Sequence, residues 1–242
     1  MEVVLSRDRP DLERAVEEAF RERWPEFIFH DSVSNAYLPR VQKLFREYDI
    51  LLLDDGKVAA GGWGVPLAWD GTVENLPSGY DDGLRRAVEG HEKGRAANTF
   101  SFMAAAVAAA YDKQGLATAV LTELSARARA HGLQRVIAPI RPTWKHRYPN
   151  VPMREYATWT REDGLSIDPW IRTHQRMGAT ILGPAPESML IEGTVAEWED
   201  WTGMAFPASG DYVVPDALNL VHVDRPADRA VYREENLRVE HG

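Results

Sequence analysis

Apolar and polar positions follow two rhythms along this chain, and the changes of rhythm mark its elements. Met1–Leu5 reads as a short strand. Arg9–Arg23 reads as an amphipathic helix, because Leu12, Val16, Ala19 and Phe20 recur on one face. A second helix over Ser34–Tyr48 turns Val41, Leu44 and Phe45 inward. Ile50–Leu53 is a compact apolar run, Asp55-Gly56 has the chemistry of a type I′ hairpin turn, and Val58–Trp69 resumes as a strand. Gly61, Gly62 and Gly64 inside that strand predict a bulge or a close backbone approach. After a Pro/Gly turn, Tyr80–Glu92 reads as an acidic helix.

The middle of the chain changes character. Asn98–Ala108 is nearly uncharged and fits a fully buried strand, although its alanines also suit a helix. A turn through Tyr111–Gln114 and Gly115 then leads into a helix to Arg129, with Leu116, Val120, Leu124 and Ala128 in one stripe and Gly132 as its C-cap. Gln134–Ile140 is a second buried strand. Strand, glycine turn, helix and strand make a βαβ unit, so these two strands are expected to run parallel. The fold class is therefore α/β in the mixed sense: a central mixed sheet flanked by helices.

Simple alternation ends at Ile140. Arg141–Ser166 is too long for an ordinary connection. Asp168–Met177 reads as a helix with Asp168 as N-cap, Pro169 at its first position and Gly178 after its end. Thr180–Leu182 and Ser188–Gly193 read as the last paired strands, joined by a Gly-Pro-Ala-Pro turn. Beyond Val195 come a short Trp-rich helix and β-like pieces at Tyr212–Val214, Asn219–Val223 and Leu237–Val239. Trp198 and Trp201, with Val195, form a stripe suited to core packing or to a homodimer face.

Composition narrows the classes. Of 242 residues, 44% are hydrophobic and 27% charged, which suits one large domain with a full core. No apolar run approaches bilayer length, and the first residues turn charged at once, so neither a membrane partner nor a signal-peptide core is expected and the default location is cytoplasmic. The absence of cysteine excludes disulfides, thiolate metal sites and a cysteine nucleophile. A net charge of −9 argues against nucleic acid and mildly favours cationic small molecules.

The strongest chemical signal is a helix beginning at Gly115 directly after a buried strand. Its first N–H groups have no helical partners and sit at the positive dipole end, while Gly115, Ala117 and Thr118 keep the backbone accessible, an arrangement suited to a diphosphate. Asp112-Lys113-Gln114-Gly115-Leu116-Ala117, set between the strand NTFSFMAAAVA and the strand RVIAPI, resembles the acyl-CoA-binding core of the GNAT (N-acetyltransferase) superfamily. The resemblance spans residues 1–193, with 141–168 as an acceptor-side insertion after the fifth strand and 194–242 as a C-terminal extension packed on the same domain.

That resemblance implies acetyl-CoA or another acyl-CoA as co-substrate, no metal, a small-molecule amine as acceptor, and direct transfer in a ternary complex. It implies cofactor contacts from Ala106, Val107, Lys113, Gln114, Gly115, Leu116, Ala117 and Thr118, with the Val107 N–H as oxyanion donor. The helix after the insertion carries His174 where the superfamily has a tyrosine that protonates the departing thiolate, and a histidine can donate a proton at neutral pH. Two departures stand out: Asp112 replaces the usual Arg or Gln, and neither central strand carries a carboxylate to act as base. Water, His146 or an acid of the insertion is then left for that task. Arg141 and Tyr148 of the insertion, with Trp170 just after it, are the expected acceptor contacts. Two alternatives remain open at this point: a GNAT-fold protein that binds CoA without turnover, and a transferase that uses an acyl carrier protein.

Overall fold

Asp55 and Gly56 both take positive φ, 47° and 79°, as a type I′ turn requires. They close a hairpin between β2 (Asp49–Asp54) and β3 (Lys57–Leu67) in a computed structural model that describes residues 1–242. Around it the chain runs β1 (Glu2–Leu5), α1 (Glu13–Phe20), α2 (Ser32–Leu44), β2, β3, α3 (Tyr80–Glu92), β4 (Thr99–Val107), α4 (Leu116–Ala130) and β5 (Arg135–Ile140). It continues through α5 (Met153–Tyr156), α6 (Pro169–Arg176), β6 (Ala179–Gly193), α7 (Val195–Thr202), β7 (Gly210–Tyr212), β8 (Val221–Asp224) and β9 (Arg229–His241). One nine-stranded mixed sheet has the order β1-β2-β3-β4-β5-β9-β8-β7, with β6 on the other edge of β9.

Two adjacent glycines record how the helices cover this sheet. A Cβ at Gly61 would stand 2.9 Å from Phe20 of α1, whereas one at Gly62 would stand 2.6 Å from Val120 of α4. Successive residues of a strand face opposite sides, so α1 and α4 press on opposite faces. Trp63, on the α1 face, meets Tyr80 at the start of α3, and α2 packs on α3. Phe102 shares the α4 face with Gly62 and Gly64, and His174 of α6 lies against it.

The third glycine signal resolves as the predicted irregularity. Trp63 pairs with Ala104 but Gly64 pairs with Phe102, so Met103 is an extra residue in β4. β4 and β5 are parallel, as the βαβ unit requires, but pair only from Thr99–Ser101 to Arg135–Ile137. Beyond Ser101 the two strands part.

The C-terminal region departs from expectation. Thr180–Leu182 and Ser188–Gly193 do not pair with each other. They belong to one strand, β6, which stays extended through its prolines with two register shifts and pairs along its length with β9. β9 lies between β5 and β6, so the boundary expected at residue 193 runs through the sheet. Trp198 serves the core: it is fully buried against Phe27 and Tyr232.

Candidate active site

The turn before α4 is built from backbone conformations that leave its amides bare. Lys113 and Gly115 take positive φ, 64° and 78°. None of the main-chain N–H groups from Lys113 to Thr118 donates within the chain, and the first carbonyl engaged is that of Gly115, by Ala119. No atom lies within 4 Å of where a Cβ of Gly115 would stand. The cradle is therefore open, polar and at the positive end of a 15-residue helix. Asp112 has a counter-charge: Arg23 donates to its carboxylate at 2.8 Å.

The second element is the gap between β4 and β5. Ala108 N–H donates to Ala59 on β3 at 2.9 Å. Alternation along the strand then directs Ala106 N–H toward β3 as well, and Val107 N–H away from β3 into the gap. Of the two β4 residues expected to contact the acyl-CoA, only Val107 thus offers its amide there. A cleft of about 670 Å³ runs from Asp112 and Ala117 beside the cradle, past Val107 and Ile140 at the gap, to Ser34 and Tyr80 on the α1 face. The cleft crosses the sheet.

Two histidines line it. His146 is half-buried, and its Nδ1 lies 2.9 Å from the Thr143 carbonyl. A carbonyl only accepts, so Nδ1 carries the proton and Nε2 of the neutral ring is a bare acceptor. His174 is only 1% exposed. Its Nδ1 lies 2.9 Å from Nε2 of His241, and its own Nε2 has no partner. The contact uses one N–H, contributed by one of the two rings. Burial, then the neighbouring His241, push His174 down to about 3. At neutral pH His174 is uncharged and carries a single N–H. The proton-donor role expected of it draws on that one N–H, for which the His241 contact competes.

The insertion is organised by one carboxylate. Fully buried Asp168 caps α6 through Trp170 N (2.9 Å) and Ile171 N (3.1 Å), and accepts from Thr143 N, Trp144 N and the Tyr156 hydroxyl. Arg141 leaves β5 and pairs with buried Glu234 of β9 at 2.9 Å, while its Nη2 donates to the Asp216 carbonyl and its Nη1 has no partner. Trp170 lines the cleft against the His174 ring. Tyr148 does not line it. Expected to touch the acceptor, it instead packs edge-on against Trp159 at the surface.

Lys145 is fully buried and donates to the Tyr148 and Leu218 carbonyls, tying the insertion to the C-terminal region. Burial pushes it down to about 8 from its ordinary 10.5, whereas burial and the Asp31 charge push Asp81 up to about 8 from 3.8. Between its two values the folded state holds the Asp81 proton that the unfolded chain has lost, so stability falls as pH rises toward 8. Above 8 the unfolded chain holds a Lys145 proton that the fold has shed, so stability rises again. Melting temperature should therefore pass through a minimum near pH 8. Lys145→Met should flatten the upper limb and Asp81→Asn the lower, in thermal melts from roughly pH 6.5 to 9.5.

Glu234 brings a carboxylate to the cleft from outside β4 and β5. Glu234 sits on β9 between the stretches paired with β8 and β5, and also accepts from Tyr232 and Asn236. Asp31 and Asp81 stand at the starts of α2 and α3. Asp31-Ser32-Val33-Ser34 carries a readable N-cap signal; Glu234 carries none beyond its place in the alternation Tyr232, Glu234, Asn236.

The sequence matches no family model. Arginine N-acetyltransferase avaD of Aspergillus versicolor is 31% identical over 265 residues, an alignment covering 96% of this chain and 91% of that protein. Among solved structures, the loading GNATL domain of CurA from Lyngbya majuscula superposes with a TM-score of 0.62 over 99% of this chain and 96% of that one, at 16% identity. The GphF GNAT-like decarboxylase, solved with isobutyryl-CoA, superposes at 0.60 over 100% and 99%, at 15% identity. At such identities the structures speak to the fold alone, and both carry it along the whole length of this chain, β9 included. No helix is long and apolar enough to cross a membrane. With a relative this similar over nearly its full length, the chain belongs to the GNAT superfamily and is an N-acyltransferase.

Proposed function

We propose that this enzyme moves an acetyl group from acetyl-CoA to an amine of a small cationic amino acid of the arginine kind, by direct attack in a ternary complex. The observation that carries the reading is the single cleft joining the bare amides at Gly115, the Val107 edge of the gap, and the side chains of Arg141, His146 and Trp170. The diphosphate rests on the amides of Lys113–Thr118 and the thioester lies along the free edge of β4. Arg141, whose Nη1 is uncommitted, takes the acceptor's carboxylate, and Trp170 packs on its stem. The avaD relative, named for arginine, supports the acceptor class.

In this reading the acceptor nitrogen attacks the thioester carbon, and Val107 N–H stabilises the developing oxyanion. A nitrogen proton passes to His146 Nε2, the C–S bond breaks, and His146 returns that proton to the sulfur, leaving amide and thiol. Thiol release from acetyl-CoA with arginine, and an acetylated product by mass spectrometry, test the assignment. His146→Gln should lower turnover roughly 30-fold with the KM for acetyl-CoA within about twofold. Thiol release that no amine stimulates would overturn the reading.

A further inference from the structure

A chain of buried polar groups ends at Arg141. Fully buried Glu234 accepts from Arg141 Nε at 3.2 and 2.9 Å, from the Tyr232 hydroxyl at 2.9 Å and from Asn236 Nδ2 at 2.9 Å. Asn236 Oδ1 in turn accepts from the Ser188 hydroxyl at 2.6 Å, and that hydroxyl accepts from Tyr80 N at 2.8 Å. The start of α3, β6, β9 and the end of β5 are thereby tied together. Each carboxylate oxygen of Glu234 already has two donors, so it has no capacity left for a ligand. Arg141 does.

A separate observation concerns the other side of the guanidinium. Arg141 Nη2 donates to the Asp216 carbonyl at 2.6 Å, from a turn in which Asp216 takes φ 63°. Residues with a side chain seldom adopt that conformation unless the surroundings enforce it. Tyr232 pins the same turn by accepting from Leu218 N at 2.8 Å. Arg141, Asp216, Glu234 and Asn236 all line the cleft, and no hydrogen bond within the chain uses Arg141 Nη1. We infer that Glu234 is a positioning residue. It holds the Arg141 fork with both hydrogens of Nη1 and one of Nη2 open, and so makes a carboxylate the required handle of the acceptor. Amino acids are then accepted and their decarboxylated amines rejected. A planar guanidinium fixed at Nε and Nη2 offers a carboxylate one direction of approach. Glu234 also balances the charge, so the empty site buries no lone cation. This inference rests on the proposed contact between Arg141 and the acceptor's carboxylate and adds the residue that enforces it.

The test compares L-arginine with agmatine, which has the same guanidinium and chain but no carboxylate. Both are titrated calorimetrically into the CoA-bound enzyme and assayed for thiol release from acetyl-CoA. Wild-type enzyme should bind arginine at least about tenfold more tightly. Arg141→Lys keeps a cation for Glu234 and loses the fork, whereas Glu234→Gln keeps Arg141 but frees its guanidinium to turn. Each should weaken arginine roughly tenfold, with agmatine and the KM for acetyl-CoA changing by less than about twofold. A merely structural ion pair would shift both ligands together, and lysine would largely preserve it. Arg141→Lys carries the test if Glu234→Gln fails to fold. Equal binding of the two ligands by the wild type, or an intact preference in Arg141→Lys, overturns the inference. An intact preference in Glu234→Gln alone overturns the positioning role. Selective binding of arginine without thiol release keeps the carboxylate contact and removes the transfer reading. Thiol release stimulated equally by both ligands does the reverse.

Discussion

Replacing Gly115 with aspartate should raise the KM for acetyl-CoA at least ~100-fold while the protein stays folded. Gly115 is the N-cap of α4 at φ 78°, and the space where its side chain would project is empty. Aspartate tolerates this left-handed backbone better than most residues, at about 1 kcal/mol. Its carboxylate would then stand where the diphosphate must rest. Like charges about 4 Å apart near a surface repel by about 4 kcal/mol, and a side chain that swings aside recovers part of that. Gly115→Asn adds the same bulk without the charge and should cost less than about tenfold. Equal losses from the two variants would mean that charge is not what this turn recognises.

Asp168→Ala should destabilise the fold by about 4 kcal/mol or more in urea unfolding, because one carboxylate satisfies five donors. Without it four backbone N–H groups and the Tyr156 hydroxyl lose their acceptor inside a closed region, and α6 loses its cap. Asp168→Asn retains one acceptor oxygen and should lose about half as much. The insertion would loosen with α6, so activity should fall along with stability. A loss under about 1 kcal/mol would show that water replaces the carboxylate freely.

Much of this fold was legible because local rules and tertiary structure agree. The predicted helix bounds at Tyr80–Glu92 match those observed, the Asp55-Gly56 turn formed, and Asp168-Pro169 opened a helix as an N-cap and first residue should. The glycines of β3 signalled close approach, and Phe20, Val120 and Phe100 are the neighbours that require it. What escaped was the partner of each strand. β6 contains Gly183, Pro184 and Pro186, which locally read as a turn, yet the long register with β9 keeps the segment extended. β9 itself has polar residues inside: Glu234, Asn236 and His241 are buried, each with a partner from a distant part of the sequence. Period-two patterning cannot reveal a strand whose inward positions are polar.

The same asymmetry governs the site. The cradle at Gly115 depends on contiguous residues and was readable. Which nitrogen of His174 is left unpaired depends on His241, and no spacing in the sequence announces that relation. Glu234 reaches the cleft from the last strand, so searching β4 and β5 for a carboxylate could not find it.

A crystal structure with acetyl-CoA would test the central claim most directly. The account places diphosphate oxygens within hydrogen-bonding distance of main-chain nitrogens in Gly115–Thr118, with the acetyl carbonyl oxygen at Val107 N–H. A cofactor seated instead in the separate cavity beneath α1, lined by Arg7, Arg46 and Asp49, with the Gly115 amides facing solvent, would contradict it.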